Sequence, residues 1–368
     1  MQKTSGHIPY LDGWRGLAIL SVFFGHFVSK AEYWWIGSFG VQLFFALSGY
    51  LMCNILFIKK VKLPNFFVSR IVRVVPTFLL FIAVLLVYSA VFQPEPFIPS
   101  GEEILATVTF LRTYLPHELP LTSKQWAIGH LWSLNVEEHS YMFLALVALL
   151  TRRAKSPWLT GLCLAASTFA VWLITFRYLT QPPEGPNHFS TLTESASLGL
   201  LAAATIRYLR HHLPLRLEAV VPPWLPLASV AVAFLCFSTY QFKGFHLTLA
   251  PILIACAINF LDQVPTFVRT CLSNKVLCWF GTCSFSLYLW QQPLHVLTTD
   301  HGANGWLMSA TAIGIGAISF YAFENPVRQV LASAWRKRSV DTKAQSIETR
   351  EIAIQDGSGT AVVRIPED

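Results

Sequence analysis

Three groups of ionisable residues interrupt apolar runs of this chain, and each has a spacing that suits chemistry. The first run reads Tyr10-Leu11-Asp12-Gly13-Trp14-Arg15-Gly16 and then stays apolar to Gly25-His26. On a helix Arg15 and His26 fall within about 20° of each other, and Asp12 falls within about 40° of His26. An imidazole in a low-dielectric cleft is a suitable general base for a hydroxyl. Asp12, Arg15 or a carboxylate from elsewhere would orient or tune it, as the third member of a triad does. The competing reading makes Asp12 and Arg15 an interfacial anchor and His26 a packing histidine. Ionisable groups inside a membrane are expensive and functional by default, which favours the first reading.

The second group is Gly129-His130-Leu131-Trp132-Ser133-Leu134-Asn135-Val136-Glu137-Glu138-His139-Ser140-Tyr141. Successive helix positions point about 100° apart, so at most one of the adjacent carboxylates can face a site squarely. Glu137 shares its face with His130, Ser133 and Tyr141, whereas Glu138 shares its face with Leu131, Leu134 and Met142. Glu137 is therefore the expected polar centre and Glu138 an interfacial or supporting carboxylate. Arg70 and Arg73, one turn apart in Ser69-Arg70-Ile71-Val72-Arg73, form the third group. Paired guanidiniums there suit bidentate grip on phosphates, or simply set membrane topology. In Phe39-Gly40-Val41-Gln42-Leu43-Phe44-Phe45-Ala46-Leu47-Ser48-Gly49-Tyr50, Ser48 and Gly49 let a neighbouring backbone or a ligand come close. Glu324 and Arg328 have i,i+4 spacing, but Pro326 is expected to end the helix there, and both are read as structural.

These residues need elements to hold them, and the composition says which. The 368 residues are 54% hydrophobic and only 13% charged, with a mean hydropathy of +0.49. A soluble domain carries about 25% charged residues. The expectation is an all-α, polytopic membrane bundle of about ten transmembrane helices. The apolar runs lie near 10–29, 38–58, 72–92, 132–150, 157–179, 191–209, 224–240, 246–261, 279–298 and 305–323, the seventh and eighth short for a crossing of about 20 residues. Seventeen lysines and arginines between Lys59 and Arg338 fall in one set of connections, against Lys30, Arg112, Lys124, Arg177 and Lys243 in the other. The positive-inside rule then places both termini in the cytosol. The net charge of +7 is spread over short loops, which argues against a nucleic-acid partner. The seven cysteines show neither disulfide-framework nor metal spacing, and no metal site is expected. Residues 93–130 read as a long extracytoplasmic loop with an apolar patch at Ile104–Leu111. The domain is expected over 1–335, followed by a polar cytosolic tail over 336–368. No cleavable signal peptide and no internal repeat is evident.

In this order the segments LDGWRGLAIL…GH, GVQLFFALSGYL, HLWSLNVEEHSY and SLYLWQQP resemble the acyltransferase-3 family of membrane O-acyltransferases, from about Pro9 to Arg328. The family modifies bacterial surface polysaccharides and related glycans. The resemblance implies a multi-pass protein of the bacterial cytoplasmic (inner) membrane. It implies His26 as the catalytic histidine, since Arg15 and His26 match the family's arginine and histidine separated by ten residues, and acyl-CoA, most commonly acetyl-CoA, as donor. Arg70 and Arg73 match the arginines expected to hold that donor, although Ser69 stands where the family often has another arginine. Gln291 occupies the family's histidine place in Trp290-Gln291-Gln292-Pro293, so no proton-transfer role is assigned to it. Longer members add an extracytoplasmic esterase-like domain, which this chain is read as lacking. The expected reaction moves an acyl group to a carbohydrate or glycolipid hydroxyl, with His26, Glu137, Arg15 and Asp12 at the reacting centre. Ser48, Trp132, Ser133 and Glu138 support it or contact substrate. The rival class is a proton-coupled transporter or flippase of a lipid-linked or anionic solute. Oligomeric state is not legible in the sequence.

Overall fold

Backbone amides in lipid have no water to bond to, so spanning segments satisfy themselves as helices. The computed structural model describes residues 8–28, 33–92, 97–121, 126–154, 156–212, 221–238 and 244–337, and no strand occurs among them. Lys30, Lys124, Lys155, Arg216, Lys243, Arg338 and the tail beyond Lys337 lie outside the described residues.

The chain begins with α1 (Pro9–Phe23), which widens into a π-turn at Phe24–Val28, and α2 (Trp35–Cys53), which ends in another at Asn54–Ile58. Then come α3 (Leu63–Val91), the short α4 (Gly101–Val108), α5 (Trp132–Ala154) and α6 (Pro157–Thr180). They are followed by α7 (Thr193–Ala196), α8 (Leu198–His212), α9 (Leu225–Ser238), α10 (Phe245–Thr248), α11 (Ala250–Asn259) and α12 (Thr266–Leu272). The last two are α13 (Lys275–His301) and α14 (Gly305–Ser319), the latter passing through a π-turn at Phe320–Glu324.

Each apolar run marked in the sequence is helical, although the sixth is divided between α7 and α8 and the eighth between α10 and α11. Four stretches are long and apolar enough to cross a membrane: Trp35–Ile58, Leu63–Val91, Pro157–Thr180 and Gly305–Lys337. The seventh and eighth runs are short as expected, α9 having 14 residues, or about 21 Å. On α6 the rings of Phe169, Trp172 and Phe176 stack in a ladder at i, i+3, i+7, with Phe169 and Phe176 largely exposed as lipid-facing side chains are.

α1 lies at the centre, packed between α2 and α13. It approaches α13 and the end of α12 at backbone contact. A Cβ on Gly13 would stand 1.6 Å from the Leu272 carbonyl oxygen, and one on Gly281 would stand 1.9 Å from that of Asp12. The Trp14 indole nitrogen donates to the Leu43 carbonyl at 3.0 Å and ties α1 to α2. Gly49 does for α2 and α8 what Gly13 does for α1, since its Cβ would meet the Leu200 carbonyl oxygen at 1.9 Å.

Three features depart from the sequence reading. α3 starts at Leu63, well before the apolar run at 72–92, with a proline in its first turn, where a missing N–H is harmless. Arg70 and Arg73 therefore sit inside a 29-residue helix and not in a connection. Hydropathy hid this because it counts a guanidinium the same whether it faces lipid or the bundle. At Pro326 the chain stays helical to Lys337. The π-turn directly before it displaces the carbonyl that the proline ring would otherwise strike.

The third departure is in the long connection. Part of it is α4, opened by a capping box in which Ser100 and Glu103 bond reciprocally. Glu103 also accepts from Arg112 at 3.1 Å, with side-chain exposures of 9% and 2%. Arg112 donates as well to the Leu119 and Pro120 carbonyls at 3.1 Å. Tyr114 donates to Glu194 at 2.5 Å, and burial together with that carboxylate pushes its phenol up to about 12. The connection is thus pinned to α7. Glu103→Ala is expected to destabilise the protein by about 3–5 kcal/mol by leaving Arg112 buried without its partner. Thermal unfolding in nanodiscs checks this, and Glu103→Ala/Arg112→Met should recover most of the loss.

Candidate functional site

Five helices converge on a cavity of about 100 Å³. α1 contributes Arg15, α2 Ser48, α3 Arg70 and Arg73, α5 Ser133, Glu137 and Tyr141, and α13 Ser284 and Tyr288, with apolar side chains between them. Ser48 donates to Glu137 at 2.5 Å. Arg70 pairs with Glu138 at 2.7 Å and lies over the Tyr141 ring, 3.9 Å from its centroid. Arg15 pairs with Asp12 at 3.1 Å, one turn earlier on α1. Arg73 makes no hydrogen bond or salt bridge among the described residues, although it feels the fields of Arg15, Arg70 and Glu324. The cavity therefore holds three guanidiniums, one of which keeps its donors for something else. Glu137 is the only carboxylate lining it among the described residues.

On α5, Ser133, Glu137 and Tyr141 reach the cavity and Met142 is 53% exposed, but Leu134, expected on the face of Glu138, lines the cavity too, and His130, expected on the face of Glu137, does not. Glu138 belongs to the same centre through Arg70. Trp132 packs edge-on to Phe45 at 5.9 Å and does not line the cavity.

His26 stands apart from these residues. It lies in the π-turn that ends α1, a widened turn of the kind often found at functional sites. Its Nδ1 faces the Gln291 side-chain oxygen at 2.6 Å, and its ring stacks on His295 with centroids 4.2 Å apart. The His295 Nδ1–H donates to the His26 carbonyl at 2.9 Å. The partner of the imidazole is thus Gln291, and not Asp12, Arg15 or Glu137 as the triad analogy expects. The π-turn adds to this difference, because the α-helical angle between Arg15 and His26 no longer applies across it.

Between the two centres lie Tyr288 and His130. The Tyr288 hydroxyl bonds Ser133 Oγ at 2.6 Å and donates to the His130 carbonyl at 2.7 Å. His130 is 4% exposed and lies within electrostatic reach of His26 and His295. A row of polar side chains thus runs from the cavity towards His26.

Sequence reasoning missed Gln291 as the partner of His26, and missed His295, Tyr288 and Glu324. The i,i+4 spacing of Gln291 and His295 was an available signal, since it puts both on one face of α13. Glu324 had no such signal. It is buried, accepts from Ser286 at 2.6 Å and turns inward on its π-turn, while Arg328 donates to Asn325 instead.

The described residues thus form a helical bundle of a membrane protein with an arginine-rich cavity and a separate centre at His26. The acyltransferase-3 family (acyltransferase domain) matches residues 8–323, and the chain belongs to that family. It is 29% identical over 361 residues to the peptidoglycan O-acetyltransferase OatA of Listeria monocytogenes, covering 88% of this chain and 56% of that protein. It is 25% identical over 355 residues to the O-acetyltransferase OatA of Staphylococcus aureus, covering 88% of this chain and 57% of that one. The chain thus spans little more than half the length of these relatives. No solved structure shows a significant match.

Glu137→Gln removes the cavity's negative charge and is expected to tighten binding of inorganic pyrophosphate. The gain should be about fivefold, from roughly 1 kcal/mol of screened repulsion. Calorimetric titration of the protein in nanodiscs measures it.

Proposed function

We propose that this protein is a multi-pass O-acetyltransferase of the bacterial cytoplasmic membrane. It moves an acetyl group from acetyl-CoA to a hydroxyl of a cell-surface glycan. The observation that carries the reading is Arg73, a guanidinium lining the cavity beside Arg15 and Arg70 with no hydrogen-bond or salt-bridge partner among the described residues. Such a group suits the phosphates of a nucleotide-type thioester. Family membership and the names of the relatives support acetyl transfer to a glycan, with peptidoglycan as the first acceptor to try and exopolysaccharide or O-antigen as others.

In this reading about ten helices span the bilayer with both termini in the cytosol, as the distribution of lysine and arginine favours. The phosphates dock at Arg73 and Arg70, and the pantetheine arm lies along the cavity past Ser133 and Tyr288. His26 takes the proton of the acceptor hydroxyl while the oxygen attacks the thioester carbonyl. The C–S bond breaks, and the CoA thiolate recovers that proton from the imidazolium. Arg15, paired to Asp12, and Glu137, bonded to Ser48, set the charge of the cavity along the donor.

The first test is CoA-thiol release from acetyl-CoA, stimulated by soluble peptidoglycan strands, with the protein in nanodiscs. His26→Ala is expected to abolish the stimulated release, and wild-type release in that variant would sink the reading. Arg73→Ala is expected to raise the KM for acetyl-CoA about 10- to 100-fold, the worth of one or two charge-assisted hydrogen bonds. Binding of a glycan with no release from any short acyl-CoA would point instead to a transporter.

A further inference from the structure

In the proposed transfer His26 must present an unprotonated nitrogen to the acceptor, and an imidazole has two nitrogens to choose from. The surroundings of the ring are asymmetric. Nδ1 meets the side-chain oxygen of Gln291 at 2.6 Å. Gln291 is fully buried in the middle of α13, so this partner is held by the fold. His295, one turn further along α13, stacks on one face of the ring and bonds the His26 backbone, which fixes the tilt. Nε2 has no hydrogen-bond partner among the described residues. Its edge faces Gly37 of α2, where a Cβ would stand 3.5 Å away.

We infer that Gln291 is a positioning residue that holds His26 as the Nδ1–H tautomer, leaving the Nε2 lone pair directed at the gap beside Gly37 as the proton acceptor. An amide oxygen can only accept, so the 2.6 Å contact requires the hydrogen on Nδ1. The neutral tautomer then carries no hydrogen on Nε2. A carboxylate in the same place would do this too, but would also favour the charged ring and hold the base protonated to higher pH. Gln291 supplies the orientation without the charge. The side chains facing the ring agree with this. α13 brings Gln291 and His295, the turn before α5 brings His130, and α2 brings Gly37. No acidic side chain or lysine or arginine bonds the ring among the described residues, and Asp300 acts on His295. The inference rests on His26 acting as the base.

The test uses the full chain in nanodiscs, with acetyl-CoA and soluble peptidoglycan strands, comparing Gln291→Met, Gln291→Glu, Gly37→Ala and His26→Ala. Gln291→Met keeps the bulk and loses the acceptor. It is expected to lower kcat about 10- to 100-fold while the KM for acetyl-CoA stays within about twofold. Gln291→Glu keeps the acceptor and is expected to retain turnover, with the rising limb of its pH profile displaced upward by about one unit or more. Gly37→Ala adds a methyl at ordinary contact distance, so the protein should fold and bind donor while its transfer falls at least about tenfold. If His26→Ala is inactive but both Gln291 variants keep the wild-type kcat and pH profile, the positioning role is overturned and the base reading stands. If His26→Ala is active, the base reading itself falls. Should Gln291→Met fail to fold, the pH profile of Gln291→Glu decides alone.

Discussion

An arginine keeps its proton at any pH a cell offers, so three of them inside an apolar bundle constrain the position of almost every other polar group. Arg15, Arg70 and Arg73 share one cavity. Asp12 and Glu138 answer two of them directly, at 3.1 and 2.7 Å. Glu137, held by Ser48, answers all three through space, and the buried Glu324 answers Arg73. Those four carboxylates come from three different parts of the chain, so the helices carrying them must meet at the arginines. The Tyr141 ring under Arg70 adds a cation–π contact, which gains strength away from water.

Such a meeting needs helices that approach more closely than large side chains allow. Gly13 and Gly281 put α1 and α13 in backbone contact, and Gly49 does the same for α2 and α8. Without an aqueous phase to drive helices together, close backbone approach and shared polar groups hold such a bundle. The π-turns are the second device. One carries His26 out of the stripe that Arg15 occupies, and another turns Glu324 inward. Both lie where a regular helix would have aimed the side chain elsewhere.

The arginine cavity and His26 form two centres joined by Ser133, Tyr288 and His130. That separation suits the proposed reaction, in which a long donor is gripped by its phosphates at one end and reacts at the other. A compact triad would have had no room for a pantetheine arm between the charge that binds and the base that reacts. The order seen between Ser100 and Leu121, built on the capping box of α4 and the Arg112–Glu103 pair, covers a flank of the same bundle.

Much of this was legible in the chain itself. The apolar runs mark the helices because a segment crossing lipid must be continuous and apolar, a purely local requirement. The alignment of Ser133, Glu137 and Tyr141 on α5 was legible for the same reason, since helix periodicity alone relates them, whereas the places of His130 and Leu134 relative to the cavity were not. Arg15, His26 and Glu137 also stood out as candidates because they are ionisable where charge is costly, whereas Arg70 and Arg73 stood out as a guanidinium pair placed in a connection. Hydropathy misplaced the start of α3, because a window sums composition and cannot see that two guanidiniums face inward. Which carboxylate meets which arginine, and that Gln291 and not Asp12 holds His26, were decided only by tertiary structure. Gln291 lies 265 residues from His26. No local pattern encodes that distance, and a π-turn breaks the one periodicity that pointed elsewhere.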